Sequence, residues 1–132
     1  MGNKVPLIEN DSLQATPAGY QLGVRLAWYR SLPLACLEKL ELKLDGQLVP
    51  AEALRVHAGG RAFTLSELED QVETYWFVQD ALTVSVQQPG RVQPGTAHTL
   101  AVEYAMRYPY ILIGPGRFLT GVNRYTTTQV AR

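Results

Sequence analysis

Apolar and polar residues alternate along much of this chain, and that period of two is typical of a β-strand with one buried face. The pattern is found in four segments, residues 20–28, 40–44, 82–86 and 100–108. A further short strand is predicted for residues 5–13. Asp45-Gly46 and Gly59-Gly60 separate apolar segments, and such pairs favour two-residue hairpin turns because both central residues need positive φ. The pattern therefore predicts antiparallel strands joined by tight turns.

Helical patterns are scarce. Ser66 and Glu69 have the spacing of a capping box, which predicts one short helix near residues 66–72. Short strands separated by Gly, Pro and Asp turns favour an all-β fold, an antiparallel β-sandwich of the jelly-roll or immunoglobulin-like kind. The length suits one hydrophobic core and no linker divides the sequence, so residues 1–132 are expected to form a single domain.

The chain changes character from residue 110 onward. Gly114-Pro115-Gly116 interrupts the apolar residues around it, and three threonines follow at 126–128. We therefore expect residues 110–132 to form an irregular C-terminal extension. Because an apolar, irregular segment is costly to leave in water, this extension should cover its own sheet edge or pack on another subunit.

Composition and charge exclude some classes of function. The 132 residues are 46% hydrophobic and 18% charged, with 12 basic and 12 acidic residues and a formal net charge of +0. A neutral surface gives no electrostatic reason to bind nucleic acid or an anionic membrane. The lone cysteine, Cys36, cannot form an internal disulfide, and the first residues lack the long apolar run of a signal peptide or anchor. A cytoplasmic location is expected.

The residues that could support catalysis are few and scattered. His57 and His98 lie in unrelated strands, and neither has a carboxylate or thiol at ligand spacing, so no metal and no other cofactor is expected in this chain. Cys36 could act as a nucleophile with either histidine as its base. Its apolar neighbours favour instead a buried, unreactive thiol.

Aromatic and basic residues gather where two predicted strands end, at residues 28–30 and 107–110. Tyr, Trp and Arg dominate the energetics of protein interfaces and also stack on sugars and planar polyphenols. Tyr29 and Arg30 break the inward alternation, so their side chains are expected to be exposed, whereas Trp28 is expected in the core. Both groups are candidates for contact with a partner.

Four motifs carry a family resemblance. They are YRSLPL at residues 29–34, Asp45-Gly46 with Val49-Pro50, GGRAFTL at residues 59–65, and Trp76-Phe77. Together they resemble the β subunit of two-component bacterial C-glycoside deglycosidases. The resemblance covers roughly residues 5–108, and the segment from residue 110 to residue 132 departs from the family pattern.

The resemblance implies a β-sandwich subunit that forms a hetero-oligomer with a larger α subunit of the sugar-isomerase barrel type. In such enzymes the α subunit holds a divalent metal, commonly Mn²⁺, and the histidine base. The implied reaction is metal-assisted elimination from 3-oxo-glucosides of plant polyphenols, which cleaves a C–C bond and by the same logic a C–O bond. This chain is then a non-catalytic subunit of a carbon–carbon lyase in flavonoid glycoside catabolism.

The strand-end residues are the expected contacts with the α subunit or with the substrate pocket. The candidates are Tyr29, Arg30, Arg107, Tyr108, Tyr110, Arg117 and Phe118. Two other interpretations of the sequence stay open. One is a stand-alone β-sandwich module that binds sugars or polyphenols, and the other is a small enzyme that uses Cys36.

Overall fold

The computed structural model describes residues 6–27, 30–77 and 79–132. Eleven strands run through these residues in chain order. They are β1 (Gln14–Thr16), β2 (Gly19–Val24), β3 (Leu32–Pro33), β4 (Leu37–Leu44), β5 (Gln47–Leu48), β6 (Leu54–Ala58), β7 (Arg61–Phe63), β8 (Tyr75–Trp76), β9 (Leu82–Val86), β10 (Ala97–Gly114) and β11 (Arg117–Val130). Three short 3-10 helices lie at Leu34–Cys36, Ala51–Ala53 and Leu65–Asp70.

Two antiparallel sheets enclose one hydrophobic core. One sheet has the strand order β1-β2-β9-β6-β7 and the other has the order β11-β10-β4-β5, while β3 and β8 form a separate pair. Leu22 and Val84 of the first sheet and Leu42 and Val102 of the second are each at most 3% exposed and belong to the same core cluster. The predicted all-β sandwich is confirmed, and so are the inward-facing residues of its long strands that lie in the described ranges.

The two predicted hairpin turns are present. Asp45 and Gly46 have φ values of 51° and 83° between β4 and β5, and Gly59 and Gly60 have 59° and 77° between β6 and β7. Asp45 adopts this unfavourable conformation because its carboxylate is held from two sides. One oxygen accepts the Thr99 N–H at 2.9 Å, and the other lies 2.7 Å from Nδ1 of His98.

The predicted helix exists as a 3-10 helix at Leu65–Asp70, but its cap differs from the prediction. The capping box joins Thr64 to Glu67, whose carboxylate accepts the Thr64 N–H at 2.7 Å. The sequence contains two overlapping boxes of the same spacing, and this one brings Leu68 into the core at 2% exposure. No helix in the described ranges is long and apolar enough to cross a membrane.

The first predicted strand, at residues 5–13, is wrong within the described residues. Only Ile8 makes a strand-like bridge there, to Val24, and regular pairing begins at β1. The reason lies in a turn at Asn10 and Asp11, where Asp11 takes a φ of 56° and breaks the extended conformation.

The C-terminal segment is not irregular, which corrects the prediction for residues 110–132. β10 continues to Gly114, Pro115 and Gly116 form a two-residue turn, and β11 then pairs antiparallel with β10 back to Val130. The prediction also had this segment cover a sheet edge, and such a contact is found only at the last residue. There Arg132 exchanges backbone hydrogen bonds with Leu13 and Ala15, which links this end of the chain to the other sheet.

Candidate partner-binding surface

The strand ends predicted to contact a partner lie at one end of the sandwich. The Tyr104 hydroxyl in β10 donates to the carbonyl of Arg25 and accepts from the N–H of Ala27, both at 2.8 Å. Arg25 and Ala27 follow β2, so β2 and β10 leave the sandwich on the same side. Burial raises the pKa of Tyr104 to about 12, so its hydroxyl can donate this hydrogen bond at neutral pH and well above it.

Arg30 and Tyr110 come from the two predicted clusters and contact each other. The Arg30 guanidinium lies 4.4 Å from the centre of the Tyr110 ring, which is a cation–π geometry. Both side chains are exposed, Tyr110 by 41%. Trp28 and Tyr29, which precede Arg30, lie outside the described residues, so their predicted positions remain predictions.

Arg107 is held by its own subunit rather than extended into solvent. One guanidinium nitrogen lies 3.0 Å from a carboxylate oxygen of Glu38, and the other donates to the Ala35 carbonyl at 3.3 Å. Arg107 lines an open groove of about 420 Å³ together with Ser66 and Glu69. The half-exposed guanidinium can still meet a partner through this groove.

Tyr108 is a core residue, which places it away from the predicted contact surface. Its side chain is 4% exposed because the inward alternation of β10 continues to this position. Its ring packs on Gly121 of β11, where a Cβ atom would lie only 2.8 Å from the Tyr108 hydroxyl. Burial raises the pKa of Tyr108, and a hydrogen bond with the Asn123 side chain opposes this shift.

Beyond Met106 the β10–β11 hairpin projects from the sheet as an arm, residues 107–120. The pairing of β10 with β4 ends at Met106, and the register between β10 and β11 then shifts between Tyr108 and Leu112. Pro109 lies in this shift, where the missing N–H costs no ladder hydrogen bond. The arm exposes large apolar side chains: Tyr110 at 41%, Leu112 at 64%, Ile113 at 58% and Phe118 at 37%.

The tip of the arm carries the two remaining predicted contact residues. Arg117 and Phe118 follow the Pro115-Gly116 turn, and both are exposed. Phe118 is paired with Leu112 across the hairpin, so the two apolar side chains form one small patch. The structure therefore places Arg30, Tyr110, Arg117 and Phe118 where a partner can reach them.

Tyr75 and Phe77 are exposed aromatic residues that our sequence reasoning missed as contacts. Their rings stack with centroids 6.2 Å apart, and they are 41% and 56% exposed. Between them Trp76 is buried and pairs with Leu32, so Phe77 lies beside the segment that carries Arg30. The alternation at residues 75–77, with Trp76 inward and both neighbours outward, was an available signal for this position.

The candidate catalytic groups do not form a site. Cys36 is 2% exposed, and burial raises the pKa of its thiol although Arg107 partly opposes that shift. His57 contacts Ser85 at 2.7 Å, and His98 contacts Asp45 and Thr96 in a separate part of the molecule. Within the described ranges, no three His, Cys, Asp or Glu side chains group together in a way that could hold a metal ion.

Comparison with known proteins identifies the family of the chain. The family model described as C-glycoside deglycosidase beta subunit matches residues 6–110. The chain belongs to this family. The resemblance carried by the four sequence motifs is therefore confirmed.

Three relatives illustrate the relationship. A C-glycoside deglycosidase beta subunit from Microbacterium trichothecenolyticum is 32% identical over 95% of this chain and 94% of its own length. A 3'-dehydrocarminate deglycosidase beta subunit from Microbacterium sp is 35% identical over 80% and 78% of the two chains. A C-glycoside deglycosidase beta subunit from Arthrobacter globiformis is 30% identical over 86% of each.

The first of these alignments also changes the interpretation of the C-terminal segment. An alignment of 125 residues in a chain of 132 must extend well past Tyr110, so this relative shares much of the segment that includes β11. The family model ends at residue 110, in agreement with the prediction that residues 110–132 depart from the family pattern, whereas this relative shares much of that segment. The arm and β11 are therefore not peculiar to this chain.

Proposed function

We propose that this chain is the non-catalytic subunit of a cytoplasmic, hetero-oligomeric C-glycoside deglycosidase that acts on 3-oxo-glucosides of plant polyphenols. Membership of the beta subunit family supports the subunit role. The relative named for 3'-dehydrocarminate, a compound oxidised at position 3', supports the substrate class. The catalytic partner in this proposal is an α subunit of the sugar-isomerase barrel type.

The proposed reaction is an elimination and belongs to the partner subunit. A ketone at C3 of the sugar acidifies the proton at C2, so a histidine base can remove that proton. The bond from C1 to the aglycone then breaks, and the aglycone takes the bonding electrons and a proton. A divalent metal such as Mn²⁺ in the α subunit would supply Lewis-acid stabilisation of the negative charge. This chain contributes no group to these steps.

The contribution of this chain is the docking end, which we define as Arg30, Tyr75, Phe77 and the exposed side chains of the arm. The observation that carries the proposal is the contact between Arg30 and Tyr110 beside apolar side chains that are up to 64% exposed. Clustered exposed apolar residues mark interaction surfaces, and Trp, Tyr and Arg side chains that become buried there often provide most of the binding energy.

Co-purification with the α subunit tests this docking. Tyr110→Ala removes an aromatic contact residue and also the ring that positions Arg30. We therefore expect the dissociation constant of the complex to rise by about tenfold or more. Leu48→Ala is the matched control, since Leu48 is 57% exposed and lies in β5 at the opposite end of the sheet. Equal affinities for both variants, measured by titration, would contradict docking through this end.

One observation favours a second candidate function, a module that binds polyphenols or sugars by itself. The stacked rings of Tyr75 and Phe77 line a cleft of about 180 Å³ that also contains His57 and Asp80. Isothermal titration of the isolated chain with a flavonoid and its glucoside tests this candidate. If the wild-type chain binds either ligand and Phe77→Ala abolishes that binding, this candidate is supported. If the wild-type chain gives no binding heat, the candidate is rejected and the subunit role is the remaining one.

A further inference from the structure

The strand β11 is a long edge strand in a protein whose other sheet edges are short. β1 and β7 end the first sheet with 3 residues each, and β5 ends one side of the second sheet with 2 residues. β11 ends the other side with 14 residues. Short edge strands protect proteins from unwanted pairing, so β11 is the one edge of these two sheets that length does not protect.

The sequence of β11 also lacks the residues that usually protect an edge. The strand RFLTGVNRYTTTQV contains no lysine, proline or acidic residue. Val122 lies at its middle on the outer face and is 51% exposed. Arg124 carries a charge, but its Nε lies 2.6 Å from the Glu103 carboxylate of β10, which compensates that charge within the subunit. The other charged residue of β11, Arg117, lies at its first position, so neither proline nor charge repulsion opposes pairing around the middle of this edge.

We propose that β11 pairs antiparallel with β11 of a second copy of this chain, with the two-fold axis at Val122. Antiparallel pairing of identical strands is self-complementary, as a two-fold interface requires. In this register Val122 faces its own copy on the outer face, and Leu119 faces Tyr125 on the inner face. Leu119 and Tyr125 already pack against the core of their own subunit. The pairing therefore joins the inner apolar layers of the two copies.

Registers with the axis nearer the C-terminus are less favourable. With the axis at Arg124, two guanidinium groups would face each other directly, which is destabilising. With the axis at Asn123, Arg124 would face Val122 and Tyr125 would face Gly121, so the apolar pairs on both faces would be lost. The axis at Val122 instead places Arg124 opposite the Thr120 hydroxyl and keeps the apolar residues together.

This dimer has a geometric consequence for assembly. The two four-stranded sheets become one continuous sheet across the axis. Because the β11 strands run in opposite directions, the two arms point away from each other. Residues 117–120 of each arm then lie beside residues 124–127 of the other copy, while Arg30, Tyr75, Phe77 and the β10 side of the arm stay accessible. The inference does not depend on which partner the docking ends bind.

Site-directed cross-linking tests both the pairing and its register in the full-length chain. Val122→Cys places two thiols opposite each other with Cβ atoms about 5 Å apart, close to disulfide geometry. Thr126→Cys is the matched control on the same exposed face. In the proposed register its two copies lie about 27 Å apart along the strands. Cys36 is 2% exposed and should not react in the folded protein.

After mild oxidation and alkylation of free thiols, we expect Val122→Cys to migrate as a disulfide-linked dimer and Thr126→Cys to migrate as a single chain. Analytical ultracentrifugation should show a wild-type dimer at micromolar concentration. Val122→Lys should weaken self-association by about tenfold or more while the separated chains keep their native circular dichroism spectrum, because two lysines would meet at the axis while each lies on the subunit surface. Leu48→Lys is the control at an unrelated exposed position.

Three results would overturn the proposal. They are a monomeric wild-type chain in the ultracentrifuge, cross-linking of Thr126→Cys that equals or exceeds that of Val122→Cys, and self-association that Val122→Lys and Leu48→Lys leave unchanged.

Discussion

Gly121 lies under the ring of Tyr108, and replacing it with alanine tests the close contact that joins the arm to the core. The new Cβ atom would lie 2.8 Å from the Tyr108 hydroxyl and 3.1 Å from a ring carbon, well inside normal contact distances. The ring cannot swing away easily because Tyr108 is 4% exposed and surrounded by the core. Overpacking of this kind costs about 1–3 kcal/mol of the free energy of unfolding.

Gly114→Ala is a matched control in the same hairpin. An alanine Cβ at Gly114 would meet only Cδ of Arg117, at 3.8 Å, which is ordinary contact. Removing a glycine also reduces the entropy of the unfolded chain, so the control should be neutral or slightly stabilising. Both variants therefore add one methyl group to the same hairpin, and they differ in the space available for it.

Urea unfolding at one fixed protein concentration measures the difference, since self-association would otherwise shift the apparent stability. We expect Gly121→Ala to lower the free energy of unfolding by about 1–3 kcal/mol, which corresponds to a fall in Tm of about 4–12 °C. Adding Tyr108→Phe removes the nearest atom, so the double variant should lose less than the sum of the single losses. Equal stability of Gly121→Ala and Gly114→Ala would refute the packing argument.

Three further predictions concern the remaining polar contacts. Hydrogen bonds from His98 and Thr99 lower the pKa of Asp45 below its ordinary 3.8, so its contribution to stability is present above pH 3.8 and is lost as the pH falls through the lower pKa of the folded state. Asp45→Asn should therefore make the free energy of unfolding less sensitive to acid, and an unchanged loss of stability at low pH, measured by urea unfolding at several pH values, would contradict this. Burial raises the pKa of the Cys36 thiol, so a thiol reagent should label the native chain far more slowly than the denatured chain, and equal labelling rates would show an accessible thiol. Thr64→Ala should lower the free energy of unfolding by about 1 kcal/mol because Thr64 caps the 3-10 helix, and Ser66→Ala should lower it less. A larger loss for Ser66→Ala, measured by denaturant unfolding, would instead support the cap predicted from the sequence alone.

The strands with the clearest alternation were predictable because one face of each is buried. Leu40, Leu42 and Leu44 alternate with charged residues in β4, and each is at most 7% exposed. The Asp45-Gly46 turn was predictable for a different reason, since its positive φ values are a local property of two residues. Both signals act within a few residues, so they can be recognised without knowing the fold.

The edge strand β11 was not predictable in the same way. From Leu119 to Thr128 its burial alternates between half-buried and exposed residues, because one side of the strand lacks a neighbouring strand and its inner face lies at the margin of the core. The threonines that looked like a polar tail are β-branched residues that suit an exposed strand. The Gly114-Pro115-Gly116 interruption is the turn of a hairpin rather than the start of irregular chain.

The two tyrosines of the arm show why the candidate site could be predicted only in part. Tyr108 and Tyr110 would share a face if β10 stayed regular, but the register shift at Pro109 separates them. Tyr108 continues into the core, while Tyr110 reaches the surface beneath Arg30. Local sequence identifies residues suited to an interface, but the bulge that sorts them depends on how β10 leaves β4.

The sequence by itself determined the all-β class, the two glycine-containing hairpin turns, the inward faces of the long strands and the family of the chain. Each of these depends on local periodicity, on the φ preference of a few residues, or on motifs that can be matched residue by residue. The tertiary structure decided which strand ends meet, which tyrosine is buried, and that the C-terminal residues form an edge strand. Those outcomes depend on contacts between segments far apart in the chain, such as Tyr104 with Arg25, which no local pattern specifies.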